Sequence, residues 1–179
     1  MTTWFTSDPH YGHSKVIEYS KRPFSSVEEM NEKLVENYNN IVKSSDDVFI
    51  VGDFAFTKPE PFLERLSGRK HLILGNHDYK RKKVYLRNPN LIWVKDTAEI
   101  KVNGQSIWLS HYAHRVWNKW HRGSWHLYGH SHGYSPDHGL SCDVGVDCWN
   151  FKPVSFEQIA DRFKDRKVIL SPSDQHQEP

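Results

Sequence analysis

A chain of 179 residues with 24 Lys and Arg against 22 Asp and Glu has a formal charge of only +2, which excludes the basic footprint of a dedicated nucleic-acid binder and leaves nucleic acid as a substrate at most. Its 37% hydrophobic and 26% charged residues exclude collagen-like, coiled-coil and disordered chains and suit one core, read as a single domain over 1–170 with a flexible polar tail over 171–179. No apolar run nears the roughly 20 residues that cross a bilayer, the start MTTWFTSDPHYGH lacks a basic segment followed by an apolar one, and Cys142 and Cys148 read as buried free thiols, so a cytoplasmic chain without a membrane partner is expected.

In chain order, the β-prone residues 2–6 stop at Ser7-Asp8-Pro9-His10, which places Asp8 and His10 at a strand's carboxyl end. Ser25 or Ser26 ahead of Glu28 and Glu29 resembles a capping box, and Val27, Met30, Leu34, Tyr38 and Ile41 recur at helical spacing, predicting a helix over 26–43. The unbroken apolar run before Gly52-Asp53 reads as a strand buried on both faces, followed by a short helix over 60–66. The same grammar repeats at His71-Leu72-Ile73-Leu74 before Gly75-Asn76-His77-Asp78. Strands are expected over 92–94 and 99–102, and Asn103-Gly104 joins the second of these to 106–109 as a hairpin ending at Ser110-His111. A strand over 125–128 leads to Gly129-His130-Ser131-His132, and another is expected over 142–146. Ser155 caps a helix over 156–163, and a last strand is expected over 167–170. The sum is an α/β chain with a mixed sheet system.

Histidine is abundant, at 12 residues, and its placement carries the chemistry. Asp8-Pro9-His10, Gly52-Asp53, Gly75-Asn76-His77-Asp78, His111 and Gly129-His130-Ser131-His132 each follow a predicted strand, and in α/β sheets such ends converge on the functional crevice. Carboxylate, imidazole and amide donors without thiolate suit divalent Mn, Fe, Zn, Co or Ni, with manganese placed first. The seven groups Asp8, His10, Asp53, Asn76, His111, His130 and His132 exceed the needs of one ion and fit two ions about 3.5–4 Å apart, an arrangement used for displacement at phosphorus.

These motifs, D-x-H, G-D, G-N-H-D, a lone H and G-H-x-H in order from Asp8 to His132, resemble the calcineurin-like metallophosphoesterases. Tyr11-Gly12-His13 and Arg22-Pro23-Phe24 resemble a small bacterial and phage subset of that family. The resemblance implies a double β-sheet sandwich flanked by helices. It implies one ion on Asp8, His10, Asp53 and His132, a second on Asp53, Asn76, His111 and His130, and a bridging hydroxide that attacks phosphorus. His77 would then act on the leaving oxygen or stabilise the transition state. Asp78 reads either as the group that orients His77 or as a structural hydrogen-bond partner.

Around this set, His13 reads as a contact to the substrate phosphate or a helix cap, and Arg22 as a phosphate contact or surface charge. Asn76 doubles as a substrate contact. His126 and Tyr128 read as packing behind the site, Asp143 and Asp147 as braces, and His71, His138 and His176 as solvent-exposed. Lys80-Arg81-Lys82-Lys83 reads as a solvated face or a grip on an anion. Trp117, Trp120, Trp125 and Tyr112 read as core seals or as stacking partners for a base. The G-D-x-V-D-R-G and G-N-H-E signatures of the family's protein phosphatases are absent, and little chain is left for a cap. A phosphodiesterase on nucleotide-like or small diesters is expected, with a phosphomonoesterase or a non-catalytic metal-binding scaffold as the rival readings.

Overall fold

A computed structural model describes residues 1–169; Leu170, His176 and the expected tail lie outside the described residues. In chain order the elements are β1 (Thr3–Thr6), α1 (Lys15–Tyr19), α2 (Val27–Asn39), β2 (Asp47–Val51), α3 (Glu60–Arg65), β3 (Arg69–Ile73), α4 (Lys82–Leu86), β4 (Leu91–Lys95), β5 (Thr97–Val102), β6 (Gln105–Ser110), β7 (Trp125–Tyr128), β8 (Ser141–Asp143), β9 (Val154–Ser155) and α5 (Phe156–Phe163). They build two sheets. The first runs β4-β3-β2-β1-β9, parallel except for β9. The second runs β5-β6-β7-β8, an antiparallel hairpin continued by two parallel strands.

Successive side chains of a strand point to opposite faces, and β2 shows why its apolar run is unbroken. Val48 and Ile50 join Met30, Leu34 and Tyr38 of α2 and Leu63 of α3 in one buried cluster, while Phe49 and Val51 meet Ile107, Leu109 and Leu127 of the other sheet in a second. By contrast, β5 alternates, with Ala98, Ile100 and Val102 packed inward and Thr97, Glu99 and Lys101 exposed. The outer face of β6 and β7 is covered by the loop over 111–124, where the His114 amide donates to His126 Nε2 and Trp117 Nε1 donates to the Ser124 carbonyl. Trp117 and Trp125 are buried and seal core.

Helix ends follow their caps. Ser26 Oγ accepts from the Glu29 amide, the Glu29 carboxylate accepts from the Ser25 amide, and Ser155 and Gln158 form a reciprocal capping box at α5. The α2 helix stops at Asn39, short of residue 43, because the chain turns into β2 on Asp46, whose carboxylate accepts from the Lys43 and Thr2 amides and Trp4 Nε1.

Four expectations need correction. Residues 167–169 form no strand; Val168 packs against the inter-sheet cluster without a ladder partner. The strand expected over 142–146 ends at Asp143, whose side chain accepts from the Gly145 amide and turns the backbone. His71 is buried, stacked on Phe49 and 2.9 Å from Asp47 through Nε2, and His138 is half-buried. Cys142 is buried, but Cys148 is exposed beside the Asp147 turn. Among the described residues, no helix is long and apolar enough to cross a membrane.

Candidate metal centre

The carboxyl ends of β1, β2 and β3 supply Asp8 and His10, Asp53, and Asn76 and His77; the ends of β6 and β7 supply His111, His130 and His132. Five of these, Asp8, His10, Asp53, His130 and His132, sit at φ between 48° and 66°. That left-handed conformation disfavours a residue with a Cβ by about 1–3 kcal/mol and persists only where the surroundings impose it. Here cross-strand bonds do so. The Asp8 amide donates to the Gly52 carbonyl, the His10 amide to the Asp53 carbonyl, and the Gly129 amide to the His111 carbonyl.

Each buried carboxylate is divided between two tasks. Asp8 Oδ2 accepts from the His130 amide at 2.8 Å, and Asp53 Oδ1 accepts from the His77 amide at 2.9 Å, so one oxygen of each ties its loop to another. The other oxygens face a common space. Asp53 Oδ2 lies 3.5 Å from His111 Nε2, 3.6 Å from His10 Nε2 and 3.8 Å from His77 Nε2. Asp8 Oδ1 and His10 Nε2 stand 3.6 Å apart, buried and without hydrogen-bond partners. Burying such atoms without a partner is unfavourable by about 1–3 kcal/mol each.

The imidazoles are held by their far nitrogens. His111 Nδ1 donates to the Val51 carbonyl at 2.9 Å, and His132 Nδ1 donates to Asp147 at 2.7 Å, leaving both Nε2 lone pairs for a ligand. His111 Nε2 and Asn76 Oδ1 face one another at 3.1 Å: the protonated ring donates to the amide oxygen, and loss of that proton leaves two acceptors turned on one point. Two mutually close triads result, Asp8, His10 and His132 and, beyond them, Asp53, His111 and His130, with His10, Asp53 and His77 forming a third between them. An orphaned carboxylate oxygen and imidazole nitrogen, convergent oxygen and nitrogen donors and anchored rings fit divalent cations.

The electrostatics agree. Burial alone would raise the Asp8 carboxyl, yet the neighbouring His10 ring and the His111 charge hold it well below the ordinary range, and Asp53 is lowered in the same way by His111. Burial works against a charged His111, but the Asp53 carboxylate beside it and the charge of Asp8 raise it to about 9. Without metal, the imidazolium is the counter-cation of the two carboxylates.

Arg22 turns into the protein and away from the surface. Its side chain is fully buried, donating to Asp147 at 2.8 and 2.7 Å and to the Asp8 and Pro9 carbonyls at 2.7 and 3.0 Å. Because Asp147 also accepts from His132, Arg22 fixes the left-handed Asp8 turn and one imidazole together. Nor does Asp78 hydrogen-bond the His77 ring: it accepts from the Phe54 and Gly75 amides and the Tyr85 hydroxyl, joining the Asp53 and His77 loops. Burial raises its carboxyl to about 6 despite these donors. Asp143 accepts from the Ser131 hydroxyl and the Gly133 and Gly145 amides, shaping the loop of His130 and His132.

His13 lies at the rim, 3.4 Å from His10 between their Nδ1 atoms, with its ring stacked on Phe56 at 4.0 Å. A groove of roughly 480 Å³ opens there, lined by His10, His13, Lys15, Tyr19, Ser20, Phe56, His77, His132 and Tyr134 among others. Sequence reasoning passed over Phe56, Tyr19, Tyr134 and Ser20; the one available signal was the nearness of Phe56 to Asp53. Tyr112 is exposed against His130, whereas His126 is buried behind the sheet. Lys82 of the basic run pairs with Asp96.

The chain matches the calcineurin-like phosphoesterase family over residues 1–149. It is 32% identical to the uncharacterized protein MJ1445 of Methanocaldococcus jannaschii over 183 residues, 96% of either chain. It is 38% identical to the gene 66 protein of Mycobacterium phage L5 over 82 residues, 42% of this chain and 39% of that one. The crystal structure of a protein of unknown function, AQ665 from Aquifex aeolicus, superimposes with a TM-score of 0.71 at 21% identity, covering 90% of this chain and 98% of that one.

Two predictions follow from the charge arrangement. Arg22→Ala leaves Asp147 and two carbonyls without their buried donor and should lower stability by about 3–5 kcal/mol, with reduced metal retention; denaturant melts and metal analysis check both. The folded His111 value, about 9, lies above its ordinary 6.5, so in metal-free protein its contribution to stability is complete below pH 6.5 and is lost as pH rises through about 9. Metal needs the neutral imidazole, so loading at pH 7.5 should release about one proton from His111, and apparent affinity should rise up to about tenfold per pH unit until pH 9. Metal titration in weak buffer with a pH indicator reads this directly, and loading without proton release would contradict it.

Proposed function

The chain belongs to the calcineurin-like phosphoesterase family of phosphoric-ester hydrolases, and from that premise we propose that it hydrolyses phosphodiesters using two divalent transition-metal ions, manganese first among them. The observation that carries the two-ion reading is the central position of Asp53 Oδ2 among three imidazole nitrogens at 3.5–3.8 Å, with Asp8 and His132 beyond His10 on one side and His130 beyond His111 on the other. Asp8, His10, Asp53 and His132 would hold one ion, and Asp53, Asn76, His111 and His130 the other. Bound there, such ions acidify water and neutralise charge developing on phosphoryl oxygens.

The chain's own residues supply orientation and a hydrogen bond to the leaving oxygen, whose proton comes in the end from the attacking water. Hydrolysis joins a water oxygen to phosphorus, breaks the bond to the leaving oxygen and delivers a proton to that oxygen. His77, one-third exposed over the groove, is the donor aimed at it. Burial keeps His77 below its ordinary value despite the Asp53 charge, so it acts near neutrality mainly as a hydrogen-bond donor. His13 and the Asn76 amide would orient the phosphoryl oxygens. The diester preference is supported by the groove lining. Among the described residues, no arginine lines the groove and the nearby guanidinium is buried against Asp147, so the second charge of a monoester would meet no bidentate partner.

The test is hydrolysis of bis-p-nitrophenyl phosphate against p-nitrophenyl phosphate after metal reconstitution, with metal counted per chain. Two ions, faster diester turnover and loss of activity on chelation are expected; a reversed preference supports the monoesterase, and bound metal without turnover supports the scaffold. Asp53→Asn should weaken both sites. His77→Ala should retain metal and fold while losing on the order of 10²- to 10⁴-fold in rate, the most with poor leaving groups; loss of metal in that variant would make His77 a ligand.

A further inference from the structure

The exposed aromatic side chains are distributed unevenly. Among the described residues, the exposed rings are Tyr19, Phe56, Tyr79, Tyr112 and Tyr134, and every other Phe, Tyr and Trp is at least half-buried. Single exposed apolar residues scattered over a surface need no explanation, but four of these five, Tyr19, Phe56, Tyr112 and Tyr134, gather around the metal centre. Tyr19, Phe56 and Tyr134 line the groove at the His10 and His132 end, where Phe56 stacks flat on His13 at 4.0 Å and 7° and also stands 5.1 Å from His77. Tyr112 occupies the opposite end, 4.6 Å from His130 and 5.2 Å from His111. Tyr79 follows His77 directly and is anchored through its hydroxyl to Asp96. Lys15 lines the first rim, and Lys80 stands within electrostatic reach of His77.

We propose that this phosphodiesterase takes single-stranded nucleic acid or its short fragments, with the scissile phosphate over the metal centre and the flanking bases stacked on the two aromatic rims. The inference rests on the phosphodiesterase reading and names its substrate class. Every unpaired base has a π-face that an exposed ring can hold without reading sequence, and lysines beside such rings meet the neighbouring phosphates. A base-paired duplex keeps its bases stacked on one another and offers no such face. The arrangement also explains how a chain of net charge +2 engages a polyanion: affinity comes from stacking and from the metal centre more than from a broad basic surface. Cleavage adds water across one P–O bond, giving one fragment ending in a phosphomonoester and one ending in a hydroxyl.

The experiment uses manganese-reconstituted protein and three probes: a single-stranded decamer, an abasic decamer with the same phosphates, and methyl p-nitrophenyl phosphate. Cleavage and, with a phosphorothioate-linked decamer, binding by fluorescence anisotropy should favour the base-bearing chain. Tyr19→Ala and Tyr112→Ala should each reduce that preference about 5-fold or more, the lower end for loss of one base–aromatic stack. Because the readout is a ratio between two chains of equal charge, a general loss of activity does not imitate it. Equal handling of the two decamers, a preference for duplex, or variants that keep the full preference would overturn the inference. Hydrolysis of methyl p-nitrophenyl phosphate with no base preference would leave the phosphodiesterase reading standing alone. A base preference in binding without cleavage of any diester would overturn the phosphodiesterase reading and, with it, single-stranded nucleic acid as the substrate.

Discussion

Two carboxylates buried side by side at the seam of two sheets are the constraint on which this architecture depends. Asp8 is fully buried and Asp53 nearly so, and both are held ionised. Buried anions are tolerable only when paired and hydrogen-bonded. Each therefore takes a backbone amide on one oxygen and presents the other to imidazoles, so the loops that carry the donors are locked to one another by the charges they serve. Backbone conformations that would be unfavourable alone are held by the same bonds.

This also explains the glycines next to ligands. At Gly52, φ is +101° and a Cβ would strike the His111 ring; at Gly129 it would strike Ser7 and the Asp8 carboxylate. Both positions let two sheets approach closely enough for donors from different strands to share one space. The G-D and G-H pairs in the sequence are thus packing requirements as much as chemical ones, and any side chain at either glycine would displace a ligand from its neighbour.

Strand ends bearing Asp8, His10, Asp53, Asn76, His111, His130 and His132 were legible because each signal is local: a β-prone run that breaks at serine, glycine or proline beside the donor. What was not legible is what depends on distant partners. Arg22 resembles a surface phosphate contact until Asp147, 125 residues away, is seen to take two of its three guanidinium nitrogens. His71 resembles an exposed histidine until Asp47 is found across the ladder. Asp78 follows His77 and invites a pairing with it, but the carboxylate turns toward the Phe54 amide and the Tyr85 hydroxyl because burial leaves it no solvent. For the outer face of β6 and β7, the covering layer is an irregular loop, which hydrophobic periodicity cannot forecast.

The site therefore has a floor and a rim with different physics. On the floor, Asp8, His10, Asp53 and His111 are buried, and Arg22, Asp78 and Asp147 reinforce them with fixed hydrogen bonds; a change there disturbs charge balance in low dielectric and is felt by several loops at once. On the rim, Tyr19, Phe56, Tyr112 and Tyr134 leave a third or more of their surface in water and stabilise little of the fold. Substitution at the rim is therefore tolerated by the scaffold, while substitution at the floor is not. Reaction type belongs to the floor, and substrate choice belongs to side chains that the fold leaves free to vary.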